Sequence, residues 1–307
     1  MKRPGKKLIA VVGATGQQGG TVARALQASA GFTVRALTRD PEKHRGLADE
    51  VVEADLNRPE TLKAAFAGAH GVFLVTSFWE QGAGELEQAT AAVRAAKAAG
   101  VKHFVWSTLP DVETISGGKL HVPHFTGKAK ADRIVQAAGF ANHTFVIAPM
   151  YYQGLLGAMA PQKQPDGSTG WVLPLDPEVR CLHMGDITEL GAIVAGAFAH
   201  PDEAGHGEYL PLVGDFLSFD EIVETLSRLG QEFSFRQVPK EVFAASGFPG
   251  AGEIANMFGY FQAYTYLGSD SRDRIALANK IAGRQPTKFA AWAKKNFPAL
   301  VTKGNNR

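Results

Sequence analysis

Leu8-Ile9-Ala10-Val11-Val12-Gly13-Ala14-Thr15-Gly16-Gln17-Gln18-Gly19-Gly20 begins as a continuous apolar run and ends in glycines. Five apolar residues without alternation read as a short strand buried on both faces of a parallel sheet. After the loop, Gly19–Ala30 reads as a helix with Val22, Ala23 and Leu26 on one face. The spacing is G-x-x-G-x-x-G between strand and helix. Its first glycine, Gly13, permits a tight turn, and Gly16 lets backbone N–H groups approach a pyrophosphate. Gly19 allows close helix–sheet packing, and the helix start favours the anion.

Working outward, the same rhythm repeats. Strands are expected at Phe32–Thr38, Glu50–Ala54, Val72–Thr76, Phe104–Ser107 and Thr144–Ala148. Between them lie a helix opened by Pro59 and striped by Leu62, Ala65 and Phe66, a second from about Glu85 to Ala99, and a third near Lys128–Ala138. Strand, helix, strand in series implies right-handed crossovers and an α/β fold, a doubly wound parallel sheet of the dinucleotide-binding type. After Pro149 the rhythm breaks. Pro161, Pro165, Asp166-Gly167, Gly170, Pro174 and Pro177 mark turns and a candidate hairpin. Helices follow at Glu189–Ala199, after the capping box Ser218-Phe219-Asp220-Glu221, and at Thr287–Asn296. We therefore expect a nucleotide-binding domain over 1–150 and a smaller, irregular α+β lobe over 151–307. Some of its segments would return to the sheet, and the ligand would lie between the two.

Composition narrows the classes. A net charge of +2 argues against a surface built wholly for nucleic acid, and no basic helix-turn-helix is visible. Cys181 is the single cysteine, so no internal disulfide can form. It reads as a small buried hydrophobe rather than a redox switch. His70, His103, His121, His183 and His200 lack metal-ligand spacing, and no metal is expected. Met1-Lys2-Arg3-Pro4 and the lysines after it mimic a signal peptide's charged region, but the apolar run stops after Val12. No apolar stretch is long enough to span a membrane. The expected location is cytoplasmic.

The end of the second strand bears on cofactor choice. An acid there suits the ribose 2′-OH of NAD, and an arginine suits the 2′-phosphate of NADP. The chain has Thr38-Arg39-Asp40-Pro41-Glu42-Lys43. A guanidinium binds phosphate in a bidentate way, and Lys43 adds charge. This favours NADP, with Asp40 as the rival argument for NAD.

The stretch from Gly13 to Gly20 together with Thr38-Arg39-Asp40-Pro41 resembles the NmrA-like family, an atypical branch of the short-chain dehydrogenases. Val75-Thr76-Ser77-Phe78-Trp79-Glu80, His124-Phe125-Thr126-Gly127-Lys128, Pro161-Gln162-Lys163 and Gly247-Phe248-Pro249-Gly250-Ala251 extend the resemblance along the chain. The resemblance implies NADP(H) binding. Gly13, Ala14, Thr15, Gly16, Gln17, Gln18 and Gly19 would hold the pyrophosphate, Arg39 and Lys43 the 2′-phosphate, and Asp55 would lie by the adenine. Thr76, Ser77 and Phe78 would line the cofactor, and Lys128 would reach the nicotinamide ribose. Tyr151, Tyr152, Gln153 and Gly154 would close over the nicotinamide end. Glu87 stands where the family carries a lysine.

Ordinary members of the superfamily use Tyr-x-x-x-Lys, in which the tyrosine transfers a proton. Here His124 stands four residues before Lys128, and no tyrosine occurs before Tyr151. A protein that binds the cofactor without this donor suits a redox-responsive regulator, as the resemblance also implies. Its partner, a regulatory protein, would meet the C-terminal lobe around Phe248 to Phe261. The alternative is an NADPH-dependent reductase of a quinone or small carbonyl compound. It would use Lys128, with His124, Tyr151 or Tyr152 as candidate acids. Ser107 occupies the usual catalytic-serine strand end, a place where turn and cap serines are also common. The sequence leaves the oligomeric state open.

Overall fold

The computed structural model describes residues 5–79 and 84–297. Met1–Pro4 of the charged leader-like segment and Glu80 of the family stretch lie outside them. Strands β1 (Lys7–Val11), β2 (Phe32–Thr38), β3 (Glu50–Glu53), β4 (Gly71–Leu74), β5 (His103–Thr108) and β6 (Asn142–Ile147) come first. They alternate with helices α1 (Gln17–Ala28), α2 (Leu62–Phe66), α3 (Glu85–Ala98), α4 (Val112–Ile115) and α5 (Pro123–Ala137). The second half holds β7 (Met150–Tyr151), β8 (Gln162–Lys163), β9 (Thr169–Leu173), β10 (Leu182–Gly185), β11 (His206–Pro211), β12 (Asp215–Leu217) and β13 (Ser234–Gln237). Its helices are α6 (Leu190–Ala199), α7 (Pro201–Ala204), α8 (Phe219–Ser227), α9 (Lys240–Ala244), α10 (Ala251–Tyr264), α11 (Arg272–Ala282) and α12 (Phe289–Asn296).

Among the described residues the main sheet has seven parallel strands in the order β11-β6-β5-β4-β1-β2-β3. Chain order reverses between β1 and β4, and the carboxyl ends of strands at such a point form a ligand crevice. The continuous apolar runs are explained by two covered faces. Ile9, Val11, Phe73 and Val105 face a layer containing Val22 and Leu26 of α1 with Ile193, Val194 and Phe198 of α6. Ala10, Val72, Leu74, Phe104 and Trp106 face Leu62, Phe66, Ala89, Val93 and Val135 on the other side. Successive residues of one strand thus enter opposite cores, as the period of two requires.

The sequence predicts that segments of the second half return to the sheet, without naming them. The seventh sheet strand, β11, comes from the second half and pairs with β6. The helices α6 and α11 also return, placing Ile193 and Ile281 in the core that covers β1. The helix expected near Lys128 starts earlier, at Pro123, so His124 lies in its first turn. Proline fits there because its missing N–H has no intrahelical partner to lose.

A third cluster buries Tyr152, Trp171, Phe219, Phe258, Phe261, Phe289 and Trp292 of the second half together with Phe125 and Ile147 of the first. The expected hairpin is present as antiparallel β8 and β9 around Asp166-Gly167. The capping box forms at α8, with Ser218 accepting from the Glu221 N–H and Glu221 accepting from the Ser218 N–H. The proposed partner stretch is largely inward: Phe258, Tyr260 and Phe261 are at most 1% exposed, whereas Phe248 stays exposed. These aromatics pack into that shared cluster and offer no continuous apolar patch.

Candidate active-site cleft

A cleft of about 870 Å³ runs along the carboxyl ends of the sheet strands and under the second lobe. That volume suits a large organic ligand. Its floor begins at the glycine loop. Gly13 has φ +72°, and a Cβ there would stand 2.7 Å from Val75 Cγ1. A Cβ at Gly19 would overlap the Gly13 carbonyl oxygen, so the start of α1 lies directly on the loop. Thr15, Gly16, Gln17, Gln18 and Gly19 line the cleft beside Gly13. The first N–H groups of α1 have no intrahelical acceptor and favour an anion. Ala14 is different: at 1% exposure it is packed into the core below the loop.

At one end, Arg39, Lys43 and His44 line the cleft beyond β2, with Arg39 and Lys43 exposed. The Asp40 carboxylate accepts from the Lys43 N–H at 3.1 Å, and this turns the segment. Asp55 also lines the cleft, with Leu37, Leu56 and Leu62 as apolar neighbours. Its carboxylate accepts from the Asn57 N–H at 2.9 Å and lies 3.7 Å from the Arg58 guanidinium. Gln88 of α3 reaches this region and donates to Asn57 at 3.0 Å.

At the other end, charge is buried. The Lys128 ammonium donates to both the carbonyl and the hydroxyl oxygen of Thr76, each at 2.9 Å. It also lies 2.7 Å from Glu85 Oε1. The Thr76 hydroxyl in turn donates to the same carboxylate oxygen at 2.6 Å. The ammonium sits 5.1 Å from the Trp106 ring centroid. Burial pushes the Lys128 pKa down, and Glu85 opposes that shift. Glu85 Oε2 has no hydrogen-bond partner. Ser77 and Phe78 line the cleft beyond Thr76.

His124 is held by the second lobe. Its Nδ1 lies 2.6 Å from Glu253 Oε1 on α10, and its backbone N–H donates to the same oxygen at 2.8 Å. Burial lowers its pKa, with Glu253 opposing. The neutral ring therefore keeps its hydrogen on Nδ1, and Nε2 is an acceptor rather than an acid. Phe78 and Trp79 lie against the ring, with centroids 5.8 and 5.7 Å away.

Of the four residues expected over the nicotinamide end, only Tyr151 lines the cleft. Tyr152 is fully buried against Phe289 and Trp292. Gln153 donates to Asp186 at 2.6 Å and accepts from the Ile187 N–H at 3.2 Å, which ties the turn after β7 to the turn before α6. Gly154 lies in a short 3-10 turn away from the cleft. Glu87 is exposed on α3 and does not face the cleft. Ser107 is 1% exposed and donates to Gln18.

Sequence reasoning missed Glu85, Gln88 and Glu253. Glu85 and Glu253 come to Lys128 and His124 from 43 and 129 residues away, and no local spacing signals either pairing. Cys181 is fully buried, and burial pushes its thiol up to about 12, consistent with its reading as a small hydrophobe. Among the described residues no group of three His, Cys, Asp or Glu is arranged to hold a metal ion. No helix among them is long and apolar enough to cross a membrane.

Comparison with known proteins follows the same outline. An NmrA-like family domain-containing protein of Dictyostelium discoideum is 30% identical over 302 residues, covering 94% of this chain and 97% of that protein. The NmrA-like family domain-containing oxidoreductase FrzB of Cladobotryum sp. is 32% identical over 282 residues, covering 83% and 84%. The crystal structure of NmrA, a negative transcriptional regulator, in complex with NADP has a TM-score of 0.81 at 24% identity and 99% coverage of both chains. An NADPH-dependent quinone oxidoreductase of Escherichia coli, complexed with NADPH, gives 0.77 at 22% identity, covering 94% and 99%. The sequence profile of the NmrA-like family matches residues 5–293, from before β1 into α12. By that match and these relatives, the chain belongs to the NmrA-like family.

Proposed function

We propose that this chain binds NADP(H) in the cleft and acts as a redox-responsive regulator without efficient dehydrogenase activity. The glycine cradle fits the dinucleotide: Gly13 makes the tight turn and Gly19 lets α1 start directly on the loop, so the helix start meets the cleft. In this reading the α1 N-terminus faces the pyrophosphate, and Arg39 and Lys43 face the 2′-phosphate. When bound, the nicotinamide ring supplies a hydride donor or acceptor. The cofactors named for the solved NmrA and quinone oxidoreductase structures support the choice.

One observation carries the regulatory reading: the Lys128 ammonium is 2.7 Å from Glu85 and bonded to both Thr76 oxygens. A lysine engaged in this way holds α5 against the β4 end and is not a mobile proton donor. His124, closed onto Glu253, joins α5 to α10 of the second lobe. Any difference in affinity for the two redox forms would then bias how the lobes meet, and a partner at the C-terminal lobe would read that bias.

The second reading is an NADPH-dependent reductase of a quinone or small carbonyl compound. Met159, Met257, Phe261 and Tyr266 favour it, because they give the cleft an apolar wall beside Tyr151. Incubating the protein with NADPH and a panel of quinones and aldehydes separates the two by loss of NADPH absorbance. The regulatory reading expects turnover near the uncatalysed rate. Rapid turnover abolished in Lys128→Ala would refute it.

A further inference from the structure

Gln18 starts α1 within the glycine loop, yet its amide faces side chains from two distant elements. Ser107, near the carboxyl end of β5, donates its Oγ–H to Gln18 Oε1 at 2.6 Å. Gln18 Nε2 donates to the hydroxyl oxygen of Tyr151 on β7 at 2.7 Å. With its carbonyl held by Ser107, the amide presents only N–H to the phenol. The phenol oxygen therefore accepts, and its own hydrogen has no acceptor among the described residues. The two hydrogen bonds fix the direction of the row and leave one O–H donor at the wall of the cleft. Burial pushes the Tyr151 phenol up to about 12. It keeps its proton at neutral pH and can donate a hydrogen bond. Met150, Met159, Phe261 and Tyr266 also line the cleft, so a carbonyl oxygen on a group with apolar faces suits this donor.

We propose that Tyr151 donates a hydrogen bond to a carbonyl oxygen of the bound ligand, and that Ser107 and Gln18 aim it. Two groups carry such an oxygen: the carboxamide of the nicotinamide ring and the carbonyl of a quinone-type ligand. The inference rests on the dinucleotide-binding reading above. It assigns the Gln18 side chain a positioning role separate from the backbone's role toward the pyrophosphate.

The test is calorimetric titration of wild type, Tyr151→Phe and Gln18→Glu with NADPH and with 2′-phospho-ADP-ribose, which lacks the nicotinamide. 1,4-Naphthoquinone is then titrated into the NADP⁺ complex, where no hydride is available. If the acceptor is the carboxamide, Tyr151→Phe weakens NADPH about tenfold and leaves 2′-phospho-ADP-ribose unmoved. If the acceptor is the second ligand, NADPH is unmoved and naphthoquinone weakens about tenfold. Gln18→Glu tests the aiming, because its carboxylate accepts from both Ser107 and Tyr151 and so takes up the spare hydrogen. Relative to 2′-phospho-ADP-ribose it should reproduce the Tyr151→Phe loss. Unchanged NADPH and naphthoquinone affinities in Tyr151→Phe would overturn the donor role, and a Gln18→Glu protein without the loss would overturn the aiming. A wild-type protein that binds neither NADPH nor 2′-phospho-ADP-ribose would instead overturn the dinucleotide reading, and this inference with it.

Discussion

The two ends of the cleft use charge in opposite ways. At the β2 end, Arg39 and Lys43 are exposed on a turn, and the neighbouring backbone comes from a glycine loop. At the β4 end, Lys128, Glu85 and Thr76 are all buried and bonded to one another. An exposed cation keeps much of its hydration, so engaging a ligand costs it little desolvation. A buried ion pair has already lost its hydration, and removing one member strands the other. The first arrangement suits the phosphate recognition proposed for it, and the second ties α3 and α5 to the end of β4.

The sharpest way to break this contrast is to strand a charge. Glu85→Leu should destabilise the fold by about 3–5 kcal/mol, measured by denaturant unfolding. Adding Lys128→Met to the same chain should recover most of the loss. A single variant as stable as wild type would show that the pair does not hold the site together. At the exposed end the penalty should appear in binding instead. Arg39→Ala should weaken NADP about ten- to a hundredfold and leave NAD unchanged. Equal weakening of both dinucleotides would remove the 2′-phosphate assignment.

His124 sharpens the comparison through pH. Burial holds its folded pKa below the unfolded value of about 6.5, so the unfolded chain takes up the proton first. Stability should therefore fall as pH drops below that value. His124→Asn, which keeps an N–H toward Glu253, should lose less over the same range. Parallel slopes in a pH series of unfolding curves would contradict the buried, neutral ring. The smallest effect belongs to Lys43→Ala. An exposed ammonium facing a phosphate should contribute about 0.2–1 kcal/mol to NADP binding and less in high salt. A loss as large as that of Arg39→Ala would make Lys43 the principal phosphate ligand.

The same contrast explains what could be read from the sequence. The recognition end is local: strand, glycine loop and the Arg39 turn are short segments whose residue types carry their own reasons. The apolar runs of β1 and β4–β6 are legible because both faces of the sheet are covered, and Ser218 with Glu221 marks its helix by spacing alone. The buried end is not local. Nothing near Lys128 announces Glu85, and nothing near His124 announces Glu253, because tertiary packing alone makes those pairs. β11 was hidden for a similar reason: His206–Pro211 carries His206, Glu208 and Tyr209 and pairs on only one side, at the sheet edge. Tyr152 and Gln153 show the limit of carrying roles over by position. They follow Tyr151 directly in sequence, but one enters the third buried cluster and the other bonds Asp186.

The central claim is that the cleft is an NADP(H) site whose selectivity comes from the β2 end. It is tested most directly by titrating wild-type protein with NADPH and NADH side by side in a calorimeter at constant ionic strength. The account predicts clear preference for NADPH, at least about tenfold, from a charge-assisted bond to one phosphate. Equal affinities, or tighter binding of NADH, would contradict it.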